Sequence, residues 1–165
     1  MQIWRDVDDV PADLGRTVVS IGNFDGVHLG HAHVLREARA TAQRLGIDTV
    51  VAVTFDPHPM AVLRPEHAPP TLTSVETRSR LLESAGVDSI LVVGFDREIA
   101  SWTPQDFIDR IALGDFWFFA WDARGHGRSP GERGLAYQSV MITPLLASAC
   151  RSGAKDTVSS AACHR

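Results

Sequence analysis

The feature that most constrains this chain is a strand, a glycine-rich loop and a helix in immediate succession. The apolar run Val18–Ile21 predicts a buried strand, and apolar residues recur at helical spacing between Val34 and Leu45. The loop between them, Gly22–His31, contains two histidines. Such a unit brings a loop with conformational freedom to a helix start, where unpaired N–H groups and the helix dipole favour an anion. We therefore expect a phosphate site in this loop.

Two further apolar runs, Thr49–Phe55 and Ser89–Gly94, predict strands that alternate with helices. This alternation favours an α/β fold with a parallel sheet flanked by helices. Ligands of such sheets lie at the carboxyl ends of the strands. Both Gly22–His31 and Asp56–Pro59 follow predicted strands directly, so we expect them at the same edge of the sheet.

Local signals place the remaining elements. The prolines of Asp56–Pro59 predict a turn without strand or helix, followed by a proline-rich loop as far as Pro70. Thr73 and Glu76 form a capping-box pattern, which predicts a helix starting there. Another helix is expected between residues 103 and 113, with a threonine cap and a proline at its first position.

Composition bounds the possible functions. With 165 residues, of which 44% are hydrophobic, the chain can bury one sizeable core. Its net charge of -4 supplies no basic field, so we expect neither a nucleic-acid nor a membrane partner. Residues 1–15 contain no long apolar stretch, which favours a cytoplasmic location. Cys150 and Cys163 lack metal-site spacing and are expected to be free thiols.

Gly22–His31 and Thr54–Pro59 together resemble the N-terminal FMN adenylyltransferase module of the bacterial bifunctional riboflavin kinase/FAD synthetases. The resemblance extends from about Thr17 to about Ala112. It implies a Rossmann-like nucleotidyltransferase fold and the transfer of AMP from ATP to FMN, giving FAD and pyrophosphate with Mg²⁺. The implied partners are therefore small-molecule nucleotides. Three shorter stretches also follow the family's course: Leu72–Ser74, Val93–Asp96 and Thr103–Phe107.

The resemblance also implies roles for individual residues. His28 and His31 would be the catalytic pair, because two imidazoles aimed at an α-phosphate supply hydrogen-bond donors where negative charge accumulates. Gly30 would allow close approach of the phosphate. No residue is assigned to a metal. The residues expected to line the nucleotide pocket are Gly22, Asn23, Phe24 and Asp25, with Asp56 and His58 in the second loop.

Some of these assignments have a purely structural alternative. His28 and His31 can serve only to cap a helix, and Asp56 and His58 can belong to a conformational turn. Arg64 can meet a phosphate, although a solvated loop charge is the more ordinary role.

Beyond residue 112 the chain departs from the family. It lacks the Asn-Phe-x-Phe-Gly loop, the later Ile-Ser-Ser-Thr-x-Ile-Arg motif and the riboflavin kinase barrel, so kinase activity is not expected. We therefore expect an adenylyltransferase-like domain over 1–112, with an incomplete sheet, and an atypical segment over 113–165. The tail from about residue 148 is expected to be disordered. Our hypothesis is that the segment is a foreign or out-of-frame end.

A part of that segment, Phe118–Ser129, resembles a strand and loop of α/β-hydrolases, and Gly127–Gly131 fits Gly-x-Ser-x-Gly. It does not fit a nucleophile elbow. Pro130 has no N–H for an oxyanion, and Ser129 does not follow its strand directly. Hydrolase activity is not expected.

Three functions remain open from the sequence. The first is an active FMN adenylyltransferase, and the second is a catalytically deficient nucleotide-binding remnant of that enzyme. The third is a nucleotidyltransferase for another acceptor, such as nicotinamide mononucleotide or phosphopantetheine. Thr54–Pro59 counts against the third.

Overall fold

The predicted alternation of strands and helices is present. The computed structural model describes residues 1–111 together with two later strands, 116–121 and 140–144. The strands are Gln2–Trp4 (β1), Thr17–Ile21 (β2), Thr49–Phe55 (β3), Ser89–Val93 (β4), Phe116–Trp121 (β5) and Val140–Pro144 (β6). The helices are Leu29–Leu45 (α1), Pro59–Leu63 (α2), Val75–Ser84 (α3) and Pro104–Arg110 (α4), with short 3₁₀ turns at Val7–Asp9, Asp25–Val27, Pro65–His67 and Ile99–Ser101.

The described strands form one sheet in the order β1-β4-β3-β2-β5-β6. The pairs from β1 to β5 are parallel, and β6 runs antiparallel to β5. The chain leaves β2 toward β3 and β4 on one side, whereas β5 lies on the other side of β2. The carboxyl end of β2 is therefore at a topological switch point, the usual place for a ligand in an open α/β sheet.

Alternating side chains of the central strands supply a core on each face of the sheet. Val51 and Val53 of β3 belong to one cluster, which also includes Trp4 and Leu91. Val50 packs on the opposite face against buried residues of α1. Such strands are buried on both faces, which explains why they appear in the sequence as continuous apolar runs rather than as alternating ones. The α/β fold class is confirmed.

Three local expectations were incomplete or wrong. β1 was missed because three residues are too few for a periodic signal, and this strand forms only through pairing with β4. The helix expected to be capped by Thr73 is capped by Ser74, whose Oγ accepts from the Thr77 N–H. The prolines after β3 do not exclude a helix, because Pro59 is the first residue of α2, where a missing N–H is tolerated.

The division at residue 112 stays a prediction, and the tail from residue 148 lies outside the described residues, as do 122–139. The described part of the chain contains no helix long and apolar enough to cross a membrane.

Candidate active site

The histidine loop, Gly22–His31, leaves the carboxyl end of β2 with a strained backbone. Phe24 and Val27 have φ angles of 50° and 39°, in the left-handed region that L side chains rarely adopt. For the β-branched Val27 this conformation is especially unfavourable. Gly26 has φ of 71°, which glycine adopts without a Cβ penalty. Surrounding contacts must therefore hold this loop in its shape.

Asp25 provides the main clamp on the loop. Its carboxylate accepts hydrogen bonds from the backbone N–H groups of Leu72 (2.8 Å) and Thr73 (2.9 Å) and from Thr73 Oγ1 (2.7 Å). Thr73 Oγ1 in turn accepts from the Gly26 N–H at 3.2 Å. Burial raises the pKa of Asp25, but these hydrogen bonds and the charge of Arg78 outweigh it, so the pKa lies below its usual value. The ionised carboxylate joins the histidine loop to the segment before α3.

His28 caps α1 with its own ring. Nδ1 accepts from the N–H groups of Gly30 (3.2 Å) and His31 (3.4 Å), while the His28 carbonyl accepts from the Ala32 N–H (3.0 Å). These N–H groups are therefore paired, and the expectation of unpaired donors at this helix start was wrong for them. A neutral imidazole with Nδ1 as acceptor carries its proton on Nε2. The exposed His28 ring therefore presents an N–H donor on the side away from the helix.

His31 lies against His28 in a much less polar setting. The two rings stack with centroids 3.7 Å apart, and the buried Phe24 ring contacts His31 edge-on at 5.2 Å. Burial, with a smaller contribution from the charge of His28, lowers the pKa of His31 to about 4, although Asp25 acts in the opposite direction. His31 Nδ1 is buried without a hydrogen-bond partner. At neutral pH this ring is uncharged.

Two glycines of the loop are required for ring packing. A Cβ on Gly30 would lie 3.0 Å from Cε1 and 3.1 Å from Nδ1 of His28. A Cβ on Gly22 would lie 3.2 Å from Cζ of Phe24. All three distances are tighter than ordinary contacts. Gly30 thus lets the His28 ring lie close over the helix start.

The second loop, Asp56–Pro59, lies beside the first. His58 caps α2 through Nδ1, which accepts from the Met60 N–H at 3.1 Å. Its Nε2 lies 3.0 Å from the side-chain amide of Asn23. Because Nδ1 of His58 is an acceptor, its Nε2 carries the proton and is a donor. The acceptor in Asn23 is the amide oxygen, which takes the place of the amide nitrogen when the amide group is turned by about 180°. This contact links the two predicted loops.

The remaining two predicted positions are less engaged. Asp56 is exposed, and its backbone N–H donates to the Val93 carbonyl at 3.0 Å. Arg64 is also exposed. The structure thus brings His58 to the histidine loop, whereas Asp56 and Arg64 face solvent.

Sequence reasoning missed Arg78, a charged side chain only 4% exposed behind both loops. Its Nη1 donates to Thr54 Oγ1 at 3.1 Å and to the Phe55 carbonyl at 3.0 Å. One signal was available, because Arg78 lies one helical turn before the buried Leu82 and so shares its face of α3. Arginine is so seldom fully buried that this periodicity alone does not predict its burial.

The described residues form no group of three or more His, Cys, Asp or Glu side chains that could hold a metal ion. Asp25, the carboxylate nearest the histidines in sequence, is already engaged by three hydrogen bonds.

The sequence profile of the FAD synthetase family matches residues 10–116, which include both loops. The chain belongs to the FAD synthetase family. This FAD synthetase-family chain is 35% identical over 113 residues to the bifunctional riboflavin kinase/FMN adenylyltransferase of Buchnera aphidicola subsp. Acyrthosiphon pisum, covering 68% of the chain and 36% of that relative. The Bacillus subtilis protein of the same name is 36% identical over 106 residues, covering 64% of the chain and 33% of the relative.

Among solved structures, this chain is similar to a crystal structure named as a macrolide-efflux protein from Streptococcus pneumoniae. The TM-score is 0.57 at 27% identity, covering 67% of this chain and 37% of that one. The chain thus spans about a third of the length of the curated relatives it matches.

Proposed function

We propose that this chain is an FMN adenylyltransferase, which transfers AMP from ATP to FMN and releases pyrophosphate. The observation that carries the proposal is the His28 ring, which accepts two helix N–H groups on one side and presents Nε2–H on the other. It does so at the switch point of a parallel sheet, in a chain of the FAD synthetase family.

The reaction needs positioning and charge stabilisation. An oxygen of the FMN phosphate attacks the α-phosphorus of ATP, a new P–O bond forms, and the bond to the β-phosphate oxygen breaks. Negative charge accumulates on the oxygens of the transferred group and of the leaving pyrophosphate. The Nε2–H of His28 would donate to one of these oxygens, and a single donor of this kind contributes roughly 3 kcal/mol at the barrier.

The stacked His31 ring would hold His28 in orientation and offer a neutral imidazole beside it. We also assign Gly22, Asn23, Phe24 and Asp25 to the nucleotide end of the pocket, with Gly30 giving close approach. Phe24 would act by packing against the His31 ring. Asp25 would act by holding the histidine loop through its hydrogen bonds to Thr73. Asp56 and His58 complete the assignment from the second loop.

Mg²⁺ would be bound by the triphosphate, since this ion commonly retains waters and uses substrate phosphates as ligands. Its chemistry there is neutralisation of phosphate charge. The proposal also includes a cytoplasmic location and small-molecule nucleotides as the only partners.

The test is FAD formation by the purified chain from FMN, ATP and Mg²⁺, followed by chromatographic separation of the flavins. His28→Ala and His31→Ala are measured beside it, with circular dichroism to show that each variant is folded. We expect FAD from the wild-type chain and a loss of at least about 100-fold in each variant.

Other outcomes distinguish the alternatives. ATP binding without any product from a folded chain would overturn the proposal in favour of a nucleotide-binding remnant. Product formed with nicotinamide mononucleotide or phosphopantetheine, but not with FMN, would reassign the acceptor.

A further inference from the structure

Arg78, which belongs to α3, connects this helix to two other segments of the chain. Besides Thr54 and Phe55 at the end of β3, its guanidinium reaches the Thr73 carbonyl, to which Nη2 donates at 3.5 Å. Thr73 is the residue that binds the Asp25 carboxylate. One buried side chain thus touches the end of β3, from which the second loop departs, and the segment that clamps the histidine loop.

A second connection leads directly into the histidine loop. Thr54 Oγ1, which accepts from Arg78 Nη1, donates its own proton to the Asn23 carbonyl at 2.8 Å. The Asn23 side chain contacts His58 Nε2. Hydrogen bonds thus connect Arg78 through Thr54 to the backbone of Asn23, and the Asn23 side chain carries the connection on to His58.

A purely stabilising role does not require a charged side chain at this position. Burying a guanidinium is expensive, and well-packed apolar residues often replace buried charges without loss of stability. Within the described residues Arg78 has neutral oxygens as its hydrogen-bond partners and its Nε is buried without one, while its charge also helps to lower the pKa of Asp25. The planar guanidinium donates in fixed directions and so orients two carbonyls and one hydroxyl. An apolar side chain would not orient them.

We propose that Arg78 is a positioning residue of the adenylyl-transfer site, an inference that rests on the proposed function. It acts through Thr54 and Thr73 to hold the strained histidine loop in register with the second loop, without contacting substrate. Small displacements of a catalytic group reduce the rate of the chemical step far more than they reduce binding.

The kinetic test compares Arg78→Lys and Arg78→Met with Arg80→Met, an exposed arginine two residues along the same helix. We expect kcat to fall by about 100-fold in Arg78→Met, with KM for ATP and FMN changed by less than about threefold. Arg78→Lys should recover part of kcat, and Arg80→Met should match the wild type. Variants that unfold more easily but keep the wild-type kcat per folded molecule would overturn the proposal.

Thr54 offers a second route that leaves Arg78 in place. Thr54→Val removes the shared hydroxyl with little change in shape, whereas Thr54→Ser keeps it. We expect the valine variant to lose kcat by at least about tenfold and the serine variant to stay close to the wild type. Equal kcat in the two variants would contradict the relay through Thr54, even if Arg78→Met fails to fold.

Failure of the proposed function is recognised separately, because a wild-type chain that forms no FAD fails before any variant is compared. In that case the histidine ring resonances and the Asn23 side-chain amide resonances are recorded by NMR. The positioning role predicts that Arg78→Lys and Thr54→Val shift the His58 and Asn23 signals, whereas Arg80→Met does not. Unchanged signals would refute it.

Discussion

The two loops at the carboxyl edge of the sheet each contain a histidine that caps a helix, but the outer ring nitrogens of these histidines differ in their surroundings. His28 and His58 each cap a helix through Nδ1, and each therefore carries its proton on Nε2. The Nε2 of His58 is engaged by Asn23, whereas His28 is exposed and its outer N–H is available to a ligand. The comparison shows that a similar Nδ1 cap leaves the outer ring nitrogen engaged within the protein in one loop and exposed in the other.

Serine substitutions separate these roles, because serine is also a favoured N-cap and preserves the start of each helix. His28→Ser removes the outward N–H donor, so FAD formation should fall by about 100-fold. His58→Ser removes the contact to Asn23 and leaves the His28 donor in place, and we expect a fall of less than about tenfold. The measurement is kcat/KM for both variants under identical conditions. Equal losses would erase the distinction between the two histidines.

The strained histidine loop should depend on its clamp more than the second loop depends on its own carboxylate. Asp25→Ala leaves the N–H groups of Leu72 and Thr73 without their acceptor and should lower the free energy of unfolding by about 1 to 3 kcal/mol. The exposed Asp56, changed to Ala, should alter it by less than about 0.5 kcal/mol. Urea unfolding of both variants provides the measurement. Equal urea midpoints for Asp25→Ala and Asp56→Ala would show that the Asp25 clamp does not stabilise the fold.

His31 makes the stability of the histidine loop depend on pH. The pKa is 6.5 in the unfolded reference and about 4 in the folded chain, so between these values the unfolded chain binds a proton that the folded chain excludes. The free energy of unfolding should fall as pH drops from about 6.5 to about 4, by about 1 to 2 kcal/mol for a half-buried ring. Above about pH 6.5, His31 should make no contribution to the pH dependence of the free energy of unfolding.

The control for this pH dependence is His31→Gln, which removes the titrating group and leaves the other histidines in place. The difference between the two pH profiles isolates His31. If the profiles run parallel from pH 7 to pH 4, the ring is not desolvated in the folded chain.

At Gly30 we expect a small effect on stability that is not coupled to the effect on activity. Alanine favours a helix over glycine by up to about 1 kcal/mol, but its Cβ would press on the His28 ring. We therefore expect the free energy of unfolding of Gly30→Ala to stay within about 1 kcal/mol of the wild type, while FAD formation falls by about tenfold. Chemical denaturation and initial rates test this together. Full activity would show that the His28 ring has room to move.

The sequence predicted the elements that carry strong local signals. Strands β2, β3 and β4 agree with the expected runs within one residue, because strands buried on both faces must be continuously apolar. The end of α1 at Gly46 agrees because this residue adopts φ of 63°. β1 was missed because its pairing partner, β4, lies more than eighty residues away in sequence.

The site divides in the same way. The sequence by itself determined that two histidines follow a strand, that glycine lies between them and that a second loop follows the neighbouring strand, because adjacent residues set these features. Only the tertiary structure decided that Asp25 binds Thr73, that Asn23 meets His58 and that Arg78 binds Thr54. These partners are 48, 35 and 24 residues apart in the pairs Asp25–Thr73, Asn23–His58 and Thr54–Arg78. Hydrogen-bond partners at such separations are brought together by the packing of the sheet and helices, and no local pattern encodes them.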